Sequence, residues 1–172
     1  MMKRYIHIYT GNGKGKTTAA LGLAIRTVGA GGNVFIGQFL KSGDYSEINA
    51  LKKMGDQVTV EHYGLGQFVK GQPTSDDIEA GMKGYRRVTE VIEKGEFDLI
   101  ILDEANIAVK YNIFSENDLL DLFEKKPDHV ELVITGRDAT PKVMERADMV
   151  IEMKEIKHYY HKGVKARRGI EK

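Results

Sequence analysis

The run "YTGNGKGKTTAALGLA" at residues 9–24 leaves the chain few folds to choose from. A β-rich segment, "RYIHIYT", leads into it, and Gly11, Gly13 and Gly15 then allow a turn too tight for side chains. An alanine-rich stretch that favours helix opens at Lys16 or Thr17. A strand turning this sharply into a helix aims several backbone N–H groups at one point, where anions bind. The standard phosphate loop reads GxxxxGK(S/T); Gly15, Lys16 and Thr17 fit it, but Thr10 stands where the first glycine belongs. Lys16 would bring a point charge to phosphate oxygens, and the Thr17 hydroxyl is placed to ligate a bridging magnesium ion.

The rest of the chain reads as the sheet such a loop requires. Short β-rich runs recur with helical stretches between them: "RYIHIYT", "NVFIGQFL", "QVTVEHY", "FDLIILD", "HVELVIT" and "DMVIEM". That alternation marks an α/β chain with a parallel sheet and crossover helices. The expected fold is a three-layer, RecA-like phosphate-loop NTPase architecture with a mostly parallel sheet of about six strands. The segments "LIILD" and "VELVIT" are apolar with little alternation, as in strands covered on both faces, and are expected beside the first strand. Helices are expected at 16–30, 45–54, 75–94, 115–125 and 140–146, with Ser115 and Thr140 as N-caps. No linker or repeat divides the 172 residues, so a single domain over 1–172 is expected, ending in a basic tail at 157–172.

Charge and composition narrow the partners. With 26 basic and 25 acidic residues no whole-molecule field favours nucleic acid or a membrane surface, so a polyanion must be held locally. The absence of cysteine removes disulfides and thiol chemistry. The opening "MMKRYIHIYTG" lacks the apolar core of a signal peptide, and no apolar run spans a bilayer; a cytoplasmic protein is expected. His158 and His161 are spaced like a metal pair but have no third ligand in view, so zinc is not expected.

The second chemical signal is "FDLIILDE", which puts Asp103 and Glu104 at the end of an apolar strand, where phosphate-loop proteins hold an acidic magnesium partner. In an open parallel sheet the ligand lies outside the carboxyl ends of the strands. That rim also receives "QFLKSGD" and "TGRDA", making Gln38, Lys41 and Arg137 candidate nucleotide contacts. The glycine-rich segment 64–75 and the basic tail from Lys157 are candidates for substrate contacts rather than core.

These blocks together resemble the ATP:corrinoid adenosyltransferases of the phosphate-loop type. "TGNGKGKTTAA" resembles that family's own loop, threonine included. "QFLKSG", "LDE" followed by "VKY", "VITGR" and "KHYYHKGVKARRGIE" resemble its later blocks in order and spacing. The resemblance implies a reaction in which a Co(I) corrinoid attacks the 5′ carbon of ATP and the intact triphosphate leaves, in adenosylcobalamin biosynthesis or salvage. It places Thr10, Gly11, Asn12, Gly13, Lys14, Gly15, Lys16, Thr17 and Thr18 on the nucleotide loop and Glu104, beside Asp103, at the magnesium site. It also makes Arg26 a nucleotide contact.

The family's corrinoid loop carries a phenylalanine and a tryptophan. Here that block is "GLGQFV" and the chain has no tryptophan, so Phe68 is the candidate for the corrinoid's lower face. The resemblance further implies an electron-donating flavoprotein reductase and a homodimer. Many relatives cover the site with an N-terminal extension, whereas this sequence begins just before the first strand, so its cover is expected to differ. Two other readings stand beside this one: an ATPase or kinase in which Glu104 orients a water or acceptor at the γ-phosphate, and a nucleotide- or corrinoid-binding module without turnover.

Overall fold

β-Branched and aromatic runs alternate with amphipathic stretches, and the strands they form are joined by crossovers that leave every pairing parallel. The computed structural model describes residues 3–41, 46–65 and 71–171. In chain order the elements are β1 (Ile6–Thr10), α1 (Lys16–Gly29), β2 (Val34–Phe39), α2 (Ser46–Lys52), β3 (Val58–Tyr63) and α3 (Ser75–Lys94). They continue with β4 (Leu99–Asp103), α4 (Ala105–Lys110), α5 (Glu116–Lys125), β5 (Glu131–Thr135), α6 (Pro141–Arg146) and β6 (Met149–Glu152). The strands stand in the order β3-β2-β4-β5-β1-β6.

Alternation along each strand sends side chains into two apolar layers. On one face Val34, Ile36, Leu99, Ile101 and Val133 pack on Ala20, Leu21 and Ala24 of α1 and on Ile48 and Leu51 of α2. On the other, Phe35, Ile100, Leu102, Leu132 and Ile134 meet Val88 and Ile92 of α3, Leu119 and Leu122 of α5, and Val143 of α6. The sheet is thus the middle of three layers, and the six-stranded parallel fold expected from the sequence is the one observed.

Two expectations are corrected. β5 lies beside β1, but β4 does not: it stands between β2 and β5, and β6 takes the other side of β1. An unbroken apolar run specifies an interior strand, and several interior positions satisfy it equally. The second correction is α4, a short helix directly after β4 that no sequence signal marked. Elsewhere the capping chemistry was legible. Ser115 accepts from the Asp118 N–H in a reciprocal capping box, and Thr140 accepts from Val143 N–H with Pro141 in the first turn.

The packing of α3 on β3 needs a glycine. A Cβ at Gly84 would lie 2.3 Å from Cγ of Tyr63, a buried residue whose ring packs at 5.2 Å on Phe39. Gly84→Ala is expected to destabilise the fold on balance. Overpacking costs about 1–3 kcal/mol, more than the ~1 kcal/mol by which alanine improves a helix interior. A lower urea midpoint at unchanged slope would show it.

Candidate active site

The loop between β1 and α1 is pinned from behind. Met153, just past β6, donates its N–H to the Thr10 carbonyl at 2.8 Å and accepts from Gly13 N–H at 2.6 Å. Gly15, at φ 115, caps α1 with no side-chain hydrogen bond, so the first N–H groups of the helix have no competing side-chain acceptor there. Lys16 curls over the loop and donates from Nζ to the carbonyls of Gly11 (2.7 Å) and Gly13 (2.8 Å). An ammonium has three donors, so one direction remains for an anion. Burial pushes this ammonium below its usual range and Glu104 opposes the shift, while Arg137 and Lys41 add to it.

Beside the loop, three polar residues form a row across the sheet. Gln38 of β2 is in register with Asp103 of β4, and Thr135 of β5 follows one residue after the Leu102–Ile134 pair. All three face α1, and all are buried. Asp103 is the centre of the row: it accepts from Thr135 Oγ1 (2.6 Å), Thr17 Oγ1 (2.8 Å), Lys41 Nζ (2.8 Å) and Gln38 Nε2 (3.1 Å). Burial alone would raise its carboxyl, but the Lys41 charge together with the hydrogen bonds from Lys41, Thr135 and Thr17 outweighs burial and holds it below the usual carboxylate range. Gln38 Oε1 is buried with no hydrogen-bond partner among the described residues.

Glu104 behaves oppositely. Burial, then the neighbouring Asp103 charge, raises its carboxyl above the usual range, against Lys41, Lys16 and Arg137. An acid raised by folding binds its proton more tightly folded than unfolded, so its ionised form costs stability above the raised value; that cost vanishes as pH falls through it. Glu104→Gln, without metal, is therefore expected to melt a few degrees higher than the unsubstituted protein at about pH 8, the gap closing on acidification. Thermal melts across that range test this.

Backbone strain collects at the same rim. Leu40 (φ 59), Glu104 (φ 60) and Asp138 (φ 58) are three of four non-glycine residues with positive φ among those described, and they follow β2, β4 and β5. Such conformations persist where surrounding structure over-determines them, commonly at functional sites.

The structure gathers most of the sequence-predicted residues. Lys16, Thr17, Gln38, Lys41, Asp103 and Glu104 form one cluster. Arg137 is exposed at its edge, with its field reaching Lys16 and Glu104. Thr10 is buried and its Oγ1 accepts from Ala139 N–H at 3.2 Å, tying the loop that carries Arg137 to β1. Asn12 and Lys14 are exposed on the loop, and Thr18 is exposed in the first turn of α1. Lys14 Nζ donates to the Ile170 carbonyl at 2.8 Å, so the basic tail folds back onto the phosphate loop.

Arg26 is not brought to the cluster. It occupies the last turn of α1, ten residues after Lys16, a rise of about 15 Å, and lines an open pocket with Arg4, His7 and Asp98 at the opposite end of the sheet. The physical reason is that α1 runs away from the carboxyl edge, so only its first turn can reach that rim. Phe68 lies outside the described residues. Sequence reasoning missed Thr135, which also accepts from Glu104 N–H at 3.0 Å, and Asn106, whose Nδ2 donates to the Gly136 carbonyl at 3.2 Å. Thr135 had a signal: like Asp103, it is the polar end of an apolar strand.

The residues suit a hard cation. Thr17, Asp103 and Glu104 offer oxygen donors, and an ammonium already lies among them. Magnesium is commonly held by one or two carboxylates with water and substrate phosphates completing its shell.

Comparison with known proteins identifies the family. The chain is 34% identical over 167 residues to the corrinoid adenosyltransferase CobA of Salmonella typhimurium, covering 96% of this chain and 84% of that protein. It is 31% identical over 165 residues to a corrinoid adenosyltransferase of Pseudomonas aeruginosa, covering 95% and 81%. A corrinoid adenosyltransferase of Escherichia coli is 32% identical over 167 residues, covering 96% and 84%. With residues 2–171 matching the ATP:corrinoid adenosyltransferase BtuR/CobO/CobP family, loop and acidic strand end included, the chain belongs to that family.

Proposed function

We propose that this protein transfers the 5′-deoxyadenosyl group of ATP to the cobalt of a reduced Co(I) corrinoid and releases inorganic triphosphate. The observation that carries the reading is the match of nearly the whole chain to the adenosyltransferase family, on a fold whose loop offers the helix N-terminus and Lys16 to a phosphate chain. The Co(I) electron pair forms the bond to C5′, the C5′–O bond breaks, and the triphosphate departs with that bond's electrons. No residue need act as a base, because the nucleophile is already electron-rich.

The chain's own contribution is position and charge. The α1 N-terminus and Lys16 hold the triphosphate and stabilise the charge that grows on it. Gly11, Asn12, Gly13, Lys14, Gly15 and Thr18 frame the phosphates, with Gln38, Lys41 and Arg137 at the rim. Thr17, Asp103 and Glu104 would hold magnesium, which when bound supplies charge neutralisation at the leaving group. Phe68 would pack on the corrinoid's lower face. A flavoprotein reductase would supply the electron, two copies would associate, and the protein would work in the cytoplasm; no described helix is long and apolar enough to cross a membrane.

Product analysis tests the reaction. With ATP, magnesium and chemically reduced corrinoid, inorganic triphosphate and a new cobalt–carbon absorption are expected. ADP with orthophosphate would instead identify an ATPase or kinase, and binding without spectral change a carrier.

A further inference from the structure

We propose that Lys41 is the resident cation of the metal position: its ammonium neutralises the cradle of Asp103, Glu104 and Thr17 until a divalent ion arriving with nucleotide displaces it. The inference rests on the reading that this cradle takes a metal. Lys41 Nζ lies 2.8 Å from Asp103 Oδ2, 3.4 Å from Thr17 Oγ1 and 3.8 Å from Glu104 Oε1. It therefore reaches one oxygen of each residue that the metal would share. A divalent ion and an ammonium among the same oxygens repel each other strongly at such separations, so they occupy the position in turn.

The cradle cannot stand without a cation. Asp103 is 1% exposed, and a carboxylate that deep needs a paired charge. The other lysine of the site, Lys16, donates to Gly11 and Gly13 carbonyls instead. Exchange also has a mechanical route. The Lys41 backbone is closely packed, since a Cβ on Gly64 would come within 2.7 Å of its N atom, but its side chain is a flexible four-carbon stem. A rotation of the stem frees Asp103 and Glu104 without moving the strand. The incoming polyphosphate offers the displaced ammonium a counter-charge. Metal alone must displace the ammonium from the cradle, whereas a polyphosphate arriving with the metal stabilises the displaced ammonium, so the two ligands bind cooperatively.

Lys41→Gln keeps a donor for Asp103 and removes the charge. By electron paramagnetic resonance in the absence of nucleotide, the variant is expected to bind manganese(II) at least about tenfold tighter than the unsubstituted protein. Magnesium alone should raise the melting temperature of the variant and leave that of the unsubstituted protein nearly unchanged. Equal manganese affinity in the two proteins overturns the inference. If manganese then binds both proteins only with ATP, the metal reading survives; if it binds neither even with ATP, both fall. Should Lys41→Gln fail to fold, Lys41→Ala prepared with ethylammonium replaces it: the amine is expected to stabilise the variant and to be driven out by manganese, and lack of competition overturns the proposal.

Discussion

Replacing Lys16 with alanine is expected to lower adenosyl transfer by about 10²- to 10³-fold or more, the range for removing one preorganised charge-stabilising donor. The fold should survive, because the Lys16 ammonium contacts loop carbonyls rather than the apolar layers. The loss should fall on turnover more than on corrinoid affinity, since charge develops on the triphosphate only as the C5′–O bond breaks. Steady-state kinetics with chemically reduced corrinoid, compared with the far-UV spectrum and melting curve, separate these effects. Near-normal turnover would remove Lys16 from the mechanism and the leaving-group account with it.

Gly13→Ala is expected to be nearly as damaging for a different reason. The backbone of Gly13 is not in the left-handed region, so alanine can adopt it. The obstacle is contact: a Cβ would lie 2.7 Å from the Met153 carbonyl oxygen and 2.9 Å from the Lys154 carbonyl carbon. Both are backbone atoms, and the hydrogen bond from Gly13 N–H to Met153 leaves them no room to retreat. The loop must move off β6, and a displacement near 1 Å in a positioning element costs about 10²-fold in rate. Gly15→Ala makes the contrast. Among the described residues its Cβ would meet only the Met153 sulfur at 3.4 Å, an ordinary contact, so the penalty there comes from φ 115. Nucleotide titrations and melts should therefore show Gly13→Ala losing affinity through displacement of the loop, and Gly15→Ala losing stability at the start of α1.

Much of this was legible before any coordinates. Gly15, Lys16 and Thr17 on one side and Asp103 and Glu104 on the other are local patterns, each tied to a strand end, and a parallel sheet brings strand ends to one edge. Helix caps at Ser115 and Thr140 were equally local. What could not be read depends on which strand neighbours which. Apolar content marked β4 and β5 as interior but could not seat β4 between β2 and β5. Without that order, neither the pairing of Gln38 with Asp103 nor the place of Thr135 beyond it could be drawn. Arg26 shows the limit in the other direction: helix rise carries it about 15 Å from Lys16, roughly the length of a five-residue strand, so α1 takes it away from the rim. Thr10, which reads as a flaw in the loop motif, has a packing role, since its hydroxyl holds the segment carrying Arg137.

The row Gln38–Asp103–Thr135 has a consequence for how the chain reaches its fold. Side chains in a strand alternate between faces, so a slip of one residue in β4 would turn Asp103 away from Thr17 and into the layer occupied by Leu102 and Ile134. There it would be a buried charge without Lys41, Thr17 or Thr135, and Leu102 would stand where the cradle is. The apolar run "LIIL" tolerates such a slip, being greasy on both sides. Asp103, the buried carboxylate at its end, does not. Asp103 thus penalises the wrong alignment of the central strand, so a chain that folds stably has already aligned the polar row that faces Thr17.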